Sequence, residues 1–304
     1  MLKHFYFILL FIGIYSYSQS KKIKVENLAI NKEYAHFGLM AIAEDKILFS
    51  SFLFDKKGRI KRFQGEPILT IFMGDVSEEG AILNVIPLEI DPVYKFSYIT
   101  SATISPNSEK LYIATKYSYK EIAKSDLNPD NFHIKVGEYK KGVGWTNFKV
   151  LPFCKSRYSY AHPAISKDGK TLYFTGNLRG GKETTKGGSD IFKVNILDDN
   201  TYGTPVNLGS KVNSYSREMF PYISNDNTLY FSSNRPGGFG GFDIYKSTMN
   251  TEGIFDKAVK LPEPINSNRD DFSYIINNEN NSGYLSSKRE GGKGDDDIYY
   301  FTID

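Results

Sequence analysis

The chain has 304 residues, 40% of them apolar and 15% aromatic, with a net charge of +3 and one cysteine. The apolar content is ample for a large core. Small net charge, with Lys and Arg not gathered into one block, leaves no footprint for nucleic acid or an anionic membrane surface as partner. The lone Cys154 excludes an intramolecular disulfide and, with no Cys-His pattern around it, reads as a buried thiol rather than a nucleophile.

The N-terminus looks like a leader. Met1-Leu2-Lys3-His4 is basic, residues 5–15 form an apolar run of eleven, and Ser16-Tyr17-Ser18 offers small residues at cleavage spacing before Gln19. Because a bilayer core requires about 20 apolar residues, residues 1–18 are expected to be a cleaved signal peptide and not an uncleaved anchor. Residues 19–304 are then one exported domain, periplasmic or envelope-associated, without a membrane span. No cysteine follows the apolar run, so the acceptor of a lipoprotein is missing.

From there a single pattern repeats five times. An apolar strand, a turn and a second apolar strand align on Ile42, Ile104, Ile165, Ile223 and Ile275, separated by 62, 61, 58 and 52 residues. The first strands cover 39–43, 102–105, 164–166, 222–224 and 274–276; the second cover 47–51, 111–115, 172–175, 229–233 and 284–287. Turns such as Ser105-Pro106-Asn107-Ser108 and Lys167-Asp168-Gly169-Lys170 join them as hairpins. Short strands and Gly-rich turns at this period predict an all-β, five-bladed β-propeller of four-stranded antiparallel blades. Only 52–96 and 116–150 are long enough to hide a sixth.

The outer strands supply a closure argument. Segments like Val206-Asn207-Leu208-Gly209 recur as Val150-Leu151-Pro152, Val259-Lys260-Leu261-Pro262 and, more loosely, Val85-Ile86-Pro87. The fifth repeat has no such segment behind it, whereas Val25-Glu26-Asn27-Leu28 stands unused near the N-terminus. Pairing the two chain ends completes the last blade and removes an open edge.

Three groups of residues are candidates for chemistry. Asp190, Asp243 and Asp297 recur at one position of the third strand, where a carboxylate can accept N–H groups of the Gly-rich loop or pair with Arg179, Arg235 and Arg289. Repetition with the blade favours a structural role. Asp295-Asp296-Asp297 suggests oxygen ligands for calcium, but neighbours on a strand face opposite ways and the calcium-loop spacing is not met, so no metal and no cofactor is expected. The Gly-rich stretches lack the phosphate-loop order and lie between strands. The lead-in to each innermost strand rings one mouth of the channel. There His36, Tyr98, His162, Arg217, Glu218, Arg269 and Asp271 form the candidate binding site, against the alternative that they only pack and tie blades.

The run Ser232-Ser233-Asn234-Arg235-Pro236-Gly237-Gly238-Phe239-Gly240-Gly241-Phe242-Asp243-Ile244-Tyr245 resembles the repeat of WD-like (TolB-type) propellers of the bacterial cell envelope. Echoes stand at Asn177-Leu178-Arg179-Gly180-Gly181 with Ser189-Asp190-Ile191-Phe192, and at Lys288-Arg289-Glu290-Gly291-Gly292 with Asp297-Ile298-Tyr299. The resemblance covers about residues 98–303, and the first repeat is degenerate. In similar Bacteroidetes proteins this propeller precedes a peptidoglycan-binding OmpA-family domain in envelope or secretion assemblies; no such domain is expected after Asp304, and its role is not carried over.

The resemblance implies a non-catalytic interaction module with a protein or peptide partner in the envelope. The alternative is a propeller glycoside hydrolase or sialidase-like protein, since Ser166-Lys167-Asp168-Gly169-Lys170-Thr171 is similar to an Asp box, though without its Trp. Glycoside hydrolysis requires two carboxylates about 5 to 9.5 Å apart, for which only Glu218 and Asp271 stand near the mouth. Three His outside the leader offer no convincing zinc triad.

Overall fold

The computed structural model describes residues 22–43, 45–116, 131–180, 183–197 and 201–304. Residues 1–18, expected to be a leader, lie outside the described residues, as does Gly181. The described strands are β1 (Ile23–Asn27), β2 (His36–Ala43), β3 (Lys46–Phe52), β4 (Arg62–Phe63), β5 (Glu66–Pro67), β6 (Leu69–Val76) and β7 (Ile82–Pro87), followed by β8 (Ile99–Ile104), β9 (Lys110–Lys116), β10 (Phe132–Lys140) and β11 (Gly144–Val150). Next come β12 (Tyr160–Ile165), β13 (Thr171–Gly176), β14 (Asp190–Asn195), β15 (Val206–Asn207), β16 (Glu218–Ile223), β17 (Thr228–Ser233), β18 (Asp243–Thr248) and β19 (Val259–Lys260). The last are β20 (Asp271–Asn277), β21 (Ser282–Ser287) and β22 (Asp297–Ile303).

Five four-stranded antiparallel sheets result, β2-β3-β6-β7, β8-β9-β10-β11, β12-β13-β14-β15, β16-β17-β18-β19 and β20-β21-β22-β1. The innermost strands β2, β8, β12, β16 and β20 touch in a closed ring, so the sheets are the blades of a propeller. Each blade is a local meander in which sequential strands pair directly, the first two across a short turn and the second and third across a longer loop. The fifth blade is the exception. Its outer strand is β1, paired with β22 from Ile23↔Ile303 to Asn27↔Tyr299.

Alternation along the middle strands puts Leu48, Ile113, Tyr173, Leu229 and Phe231 into the layers between blades, all nearly devoid of solvent exposure. Each such side chain contributes about 1.5 to 3 kcal/mol by leaving water. Cys154 packs at the margin of a second cluster that includes Phe174 and Phe192, where burial pushes its thiol up to about 12, so it stays protonated and unreactive at neutral pH.

A buried asparagine reinforces three blades. Asn213 accepts the N–H of Ile191 at 2.8 Å and donates to its carbonyl at 2.9 Å; Asn266 does the same to Ile244 at 2.7 and 3.0 Å. Asn31 repeats the clamp on Ile298, at 2.9 and 2.7 Å, across the junction of the chain ends. These side chains satisfy backbone groups of the third strand where the two-residue outer strands β15 and β19 have stopped. Sequence reasoning passed over them, although Asn213 and Asn266 both follow their Ile by 22 residues.

Candidate functional site

The axial channel is shaped by one irregularity repeated five times. Every innermost strand loses register with its neighbour, at Phe37/Met40, Ile99/Ser101, Ala161/Ala164, Met219/Tyr222 and Phe272/Ile275. Four of these bulges carry a left-handed residue, Gly38 (φ 69), His162 (φ 51), Phe220 (φ 50) and Ser273 (φ 51). Glycine adopts that backbone freely. For His, Phe and Ser it costs of order 1 to 3 kcal/mol, borne by the surrounding sheets.

The bulges aim side chains at the axis. Phe37, Phe220 and Phe272 come from blades one, four and five, with ring centroids 5.3 to 6.5 Å apart. The His162 ring of blade three stacks on Phe220 at 3.7 Å. Gly38, Ser101, His162, Pro163, Phe220 and Ser273 are among the lining residues, and no residue of that lining is a carboxylate. Aromatic contact from four directions therefore fills the neck of the channel.

His162 is the histidine of this lining, which also includes Tyr222 and Tyr274, both with hydroxyls that burial pushes up. The Phe220 N–H donates to its Nδ1 at 3.4 Å, and Nδ1 also meets the Thr175 hydroxyl at 3.2 Å, so the ring is held neutral as an acceptor. Burial lowers its pKa from 6.5 to about 3. The unfolded chain thus binds a proton that the folded chain refuses, and stability falls as pH drops from 6.5 towards 3. Asp296, raised by burial to about 6, acts in the opposite sense over a narrower range. The expected result is a melting temperature that declines below pH 6.5 in the native protein and declines less in His162→Asn, which removes the ring yet tolerates positive φ. Calorimetry from pH 7 to pH 4 checks this, and parallel curves would remove His162 from the acid response.

The remaining mouth residues have separate places. Glu218 and Asp271 open strands β16 and β20 but are fully buried. Glu218 accepts from the Ser214 backbone and hydroxyl, the Ser233 hydroxyl and Arg235, the last at 3.0 Å. Asp271 accepts equivalently from Ser267, Ser287 and Arg289, the last at 2.7 Å. His36 is buried and directs Nδ1 to the Tyr34 carbonyl at 2.7 Å; burial lowers its pKa. Tyr98 is half-buried beneath Lys116. Arg217 and Arg269 are exposed; Arg269 meets the exposed Glu290 at 3.1 Å, a pair worth little.

The repeated third-strand carboxylates hold the Gly-rich loops. Asp190 accepts from Lys186 and Gly187, Asp243 from Phe239 and Gly240, and Asp297 from Lys293 and Gly294. Of the two partners weighed for them, the loop N–H groups are used. Arg235 and Arg289 turn instead to Glu218 and Asp271, and Arg179 donates to the carbonyls of Thr185 and Gly187. The loops lie against the lead-in of the next blade, so closely that a Cβ on Gly187 would sit 1.9 Å from the Ser216 carbonyl and one on Gly240 2.1 Å from that of Arg269.

The three consecutive acids do not converge on one point: Lys288 pairs with Asp295 at 3.2 Å and with the mostly buried Asp296 at 3.6 Å, while Asp297 caps its loop. In the Asp-box-like hairpin the Ser166 hydroxyl donates to Asp168 at 2.6 Å and Asp168 accepts the Lys170 N–H at 3.0 Å. Ser224 and Asp226 do the same one blade on, at 2.5 Å, which makes this motif a turn lock.

The fold and its mouth define a five-bladed β-propeller. No family model matches the chain, and no curated protein matches it. Among solved structures it is similar to a thermostable family-43 glycoside hydrolase, with 13% identity and a TM-score of 0.55 over 92% of each chain. It is similar to RS223-β-xylosidase at 14% identity and a TM-score of 0.54, over 92% of this chain and 94% of that one. A putative TolB from Agrobacterium tumefaciens matches at 13% identity and a TM-score of 0.48, over 88% and 79%. Identities this low establish the fold alone. They also correct the expectation of a chain that is not an enzyme, because two propellers matched over nine-tenths of its length are glycosidases by title. The propeller form gives no ground for excluding catalysis. Among the described residues no helix is long and apolar enough to cross a membrane.

Proposed function

We propose that the chain is an exported propeller of the cell envelope that binds a protein or peptide partner on the face where its innermost strands begin. Residues 1–18 serve as its leader and residues 19–304 as its binding domain. The observation that carries this reading is Tyr215, 91% exposed on a loop whose neighbours are all tied down. Ser214 bonds Glu218 through N–H and hydroxyl, the Ser216 N–H donates to the Ser214 hydroxyl, the Ser216 carbonyl accepts from Gly188, and the Arg217 N–H donates to Asn234. A rigid aromatic beside the exposed Arg217 is the composition of a binding hot spot with little ordering cost left to meet. Glycoside hydrolysis by paired carboxylates finds less support, because Glu218 and Asp271 are each enclosed by their arginine.

The test is a comparison of partner capture from envelope extract by the native chain and by Tyr215→Ala combined with Arg217→Glu and Arg269→Glu. Capture of one specific partner is expected to be lost, while stability changes by no more than about 0.5 kcal/mol, as for surface substitutions. Equal capture by both proteins would remove this loop from the interface.

A further inference from the structure

The first blade departs from the others where its second and third strands join. In blades three to five that connection is a Gly-rich loop; in blade one, residues 53–68 form a double hairpin. The Leu53 N–H donates to the Ile68 carbonyl, that of Lys61 to Leu53 and that of Ile68 to Lys61. Phe54 bridges Ile60, and β4 pairs with β5 across a tight turn in which Gln64 (φ 51) and Gly65 (φ 87) are left-handed. Tyr34 packs on Phe54 at 5.2 Å, which sets the ribbon beside the lead-in to β2 and hence beside the mouth.

The ribbon is basic, which corrects the reading that Lys and Arg gather into no block: five of the seven residues 56–62 are cations. It carries Lys56, Lys57, Arg59, Lys61 and Arg62 against Asp55 and Glu66, and all five cations are exposed. Asp55 is spent on the turn itself, accepting from the N–H groups of Lys57 and Arg59 and from the Arg59 side chain. Arg62 donates to the Gly65 carbonyl, and Lys56, Lys57 and Lys61 pair with no carboxylate among the described residues. Asp55, Gly58, Arg59, Ile60, Lys61, Arg62 and Tyr34 line one open cleft. Like charges held this close repel one another, so the arrangement is relieved by a bound anion.

We propose that this ribbon and cleft dock an extended acidic segment of a partner protein. An open cleft lined by Arg59, Lys61, Arg62 and Tyr34, on a ribbon that adds Lys56 and Lys57, complements an extended acidic chain. A flat anionic bilayer laid on the same face would also meet exposed Glu33, Glu290 and Asp295. This inference goes beyond the Tyr215 reading, and neither surface requires the other.

The probes are a fluorescent peptide of alternating Glu and Ser, its Gln-for-Glu analogue, and vesicles of phosphatidylcholine with phosphatidylglycerol. The Glu peptide is expected to bind native protein, to weaken as salt is added and to lose roughly tenfold or more in affinity with Lys57→Glu combined with Lys61→Glu. Tyr215→Ala is expected to bind it as the native protein does, which separates this site from the Tyr215 loop. Equal Glu-peptide binding by the double variant, equal binding of the Gln analogue, or co-sedimentation with the vesicles that the double variant abolishes would each overturn the proposal. Both substituted lysines are exposed and bond Leu53, Ile68 and Asp55 through the backbone alone, which the substitution leaves in place, and matching melting curves establish that the variant is folded.

Discussion

Removal of residues 22–31 is expected to unfold or aggregate the protein rather than trim it. The deletion takes away β1, the Asn31 clamp on Ile298 and the Asn27 amide that donates to Asp297 at 2.8 Å. It uncovers the edge of β22, whose Ile298, Tyr299 and Phe301 are buried in the complete chain. The loss of several apolar contacts together with a clamp reaches several kcal/mol, comparable with the whole stability of a domain, about 5 to 15 kcal/mol. An unpaired β22 also offers a template for pairing between copies. Size-exclusion chromatography and calorimetry of the truncated chain check this. A monomer that melts with the full chain would show that the ring holds without its closing strand.

Asp271→Ala is expected to cost about 3 to 5 kcal/mol, the range for breaking a buried ion pair from one side. Arg289, whose side chain is 13% exposed, would keep its contacts to the carbonyls of Pro264 and Ile265 and to the Tyr299 ring but lose the carboxylate with which it pairs among the described residues. The Ser267 and Ser287 groups would lose their acceptor as well. Replacing both partners with apolar residues, Asp271→Leu with Arg289→Met, is expected to recover part of the loss because no charge remains buried. Urea unfolding measures both variants. A loss under about 1 kcal/mol for Asp271→Ala would mean that water reaches Arg289 and that the pair is not structural.

Much of the fold was legible because blades repeat their apolar rhythm: aligning Ile42, Ile104, Ile165, Ile223 and Ile275 places the inner hairpins, and Val25 next to an unfinished fifth repeat places the closure. The channel was less legible. Taking the lead-in to each innermost strand as the rim puts His36, Glu218 and Asp271 at the mouth, whereas the rings that meet on the axis belong to Phe37, Phe220 and Phe272. A bulge inserts a residue and restarts the alternation, and a left-handed Phe or His leaves no mark in the sequence. The arginine partners were hidden for a similar reason. Arg235 is near Asp243 along the chain, but the pairing Glu218↔Ser233 delivers Glu218 to it from the adjacent strand. The basic ribbon was obscured by reading the first repeat as a degenerate copy, when its irregularity is an insertion with its own hydrogen bonds.

The aromatic neck gathers rings from four of the five blades near the axis, Phe37, Phe220 and Phe272 with centroids 5.3 to 6.5 Å apart and His162 stacked on Phe220, so a molecule resting on the mouth meets packed rings there. The far side, bearing the Ser166–Asp168 and Ser224–Asp226 hairpins, is left as an independent surface of the same rigid wheel. Mechanically the protein is a washer with a filled hole. Load applied to one side reaches the other through the sheets and through the β1–β22 seam where the chain ends meet.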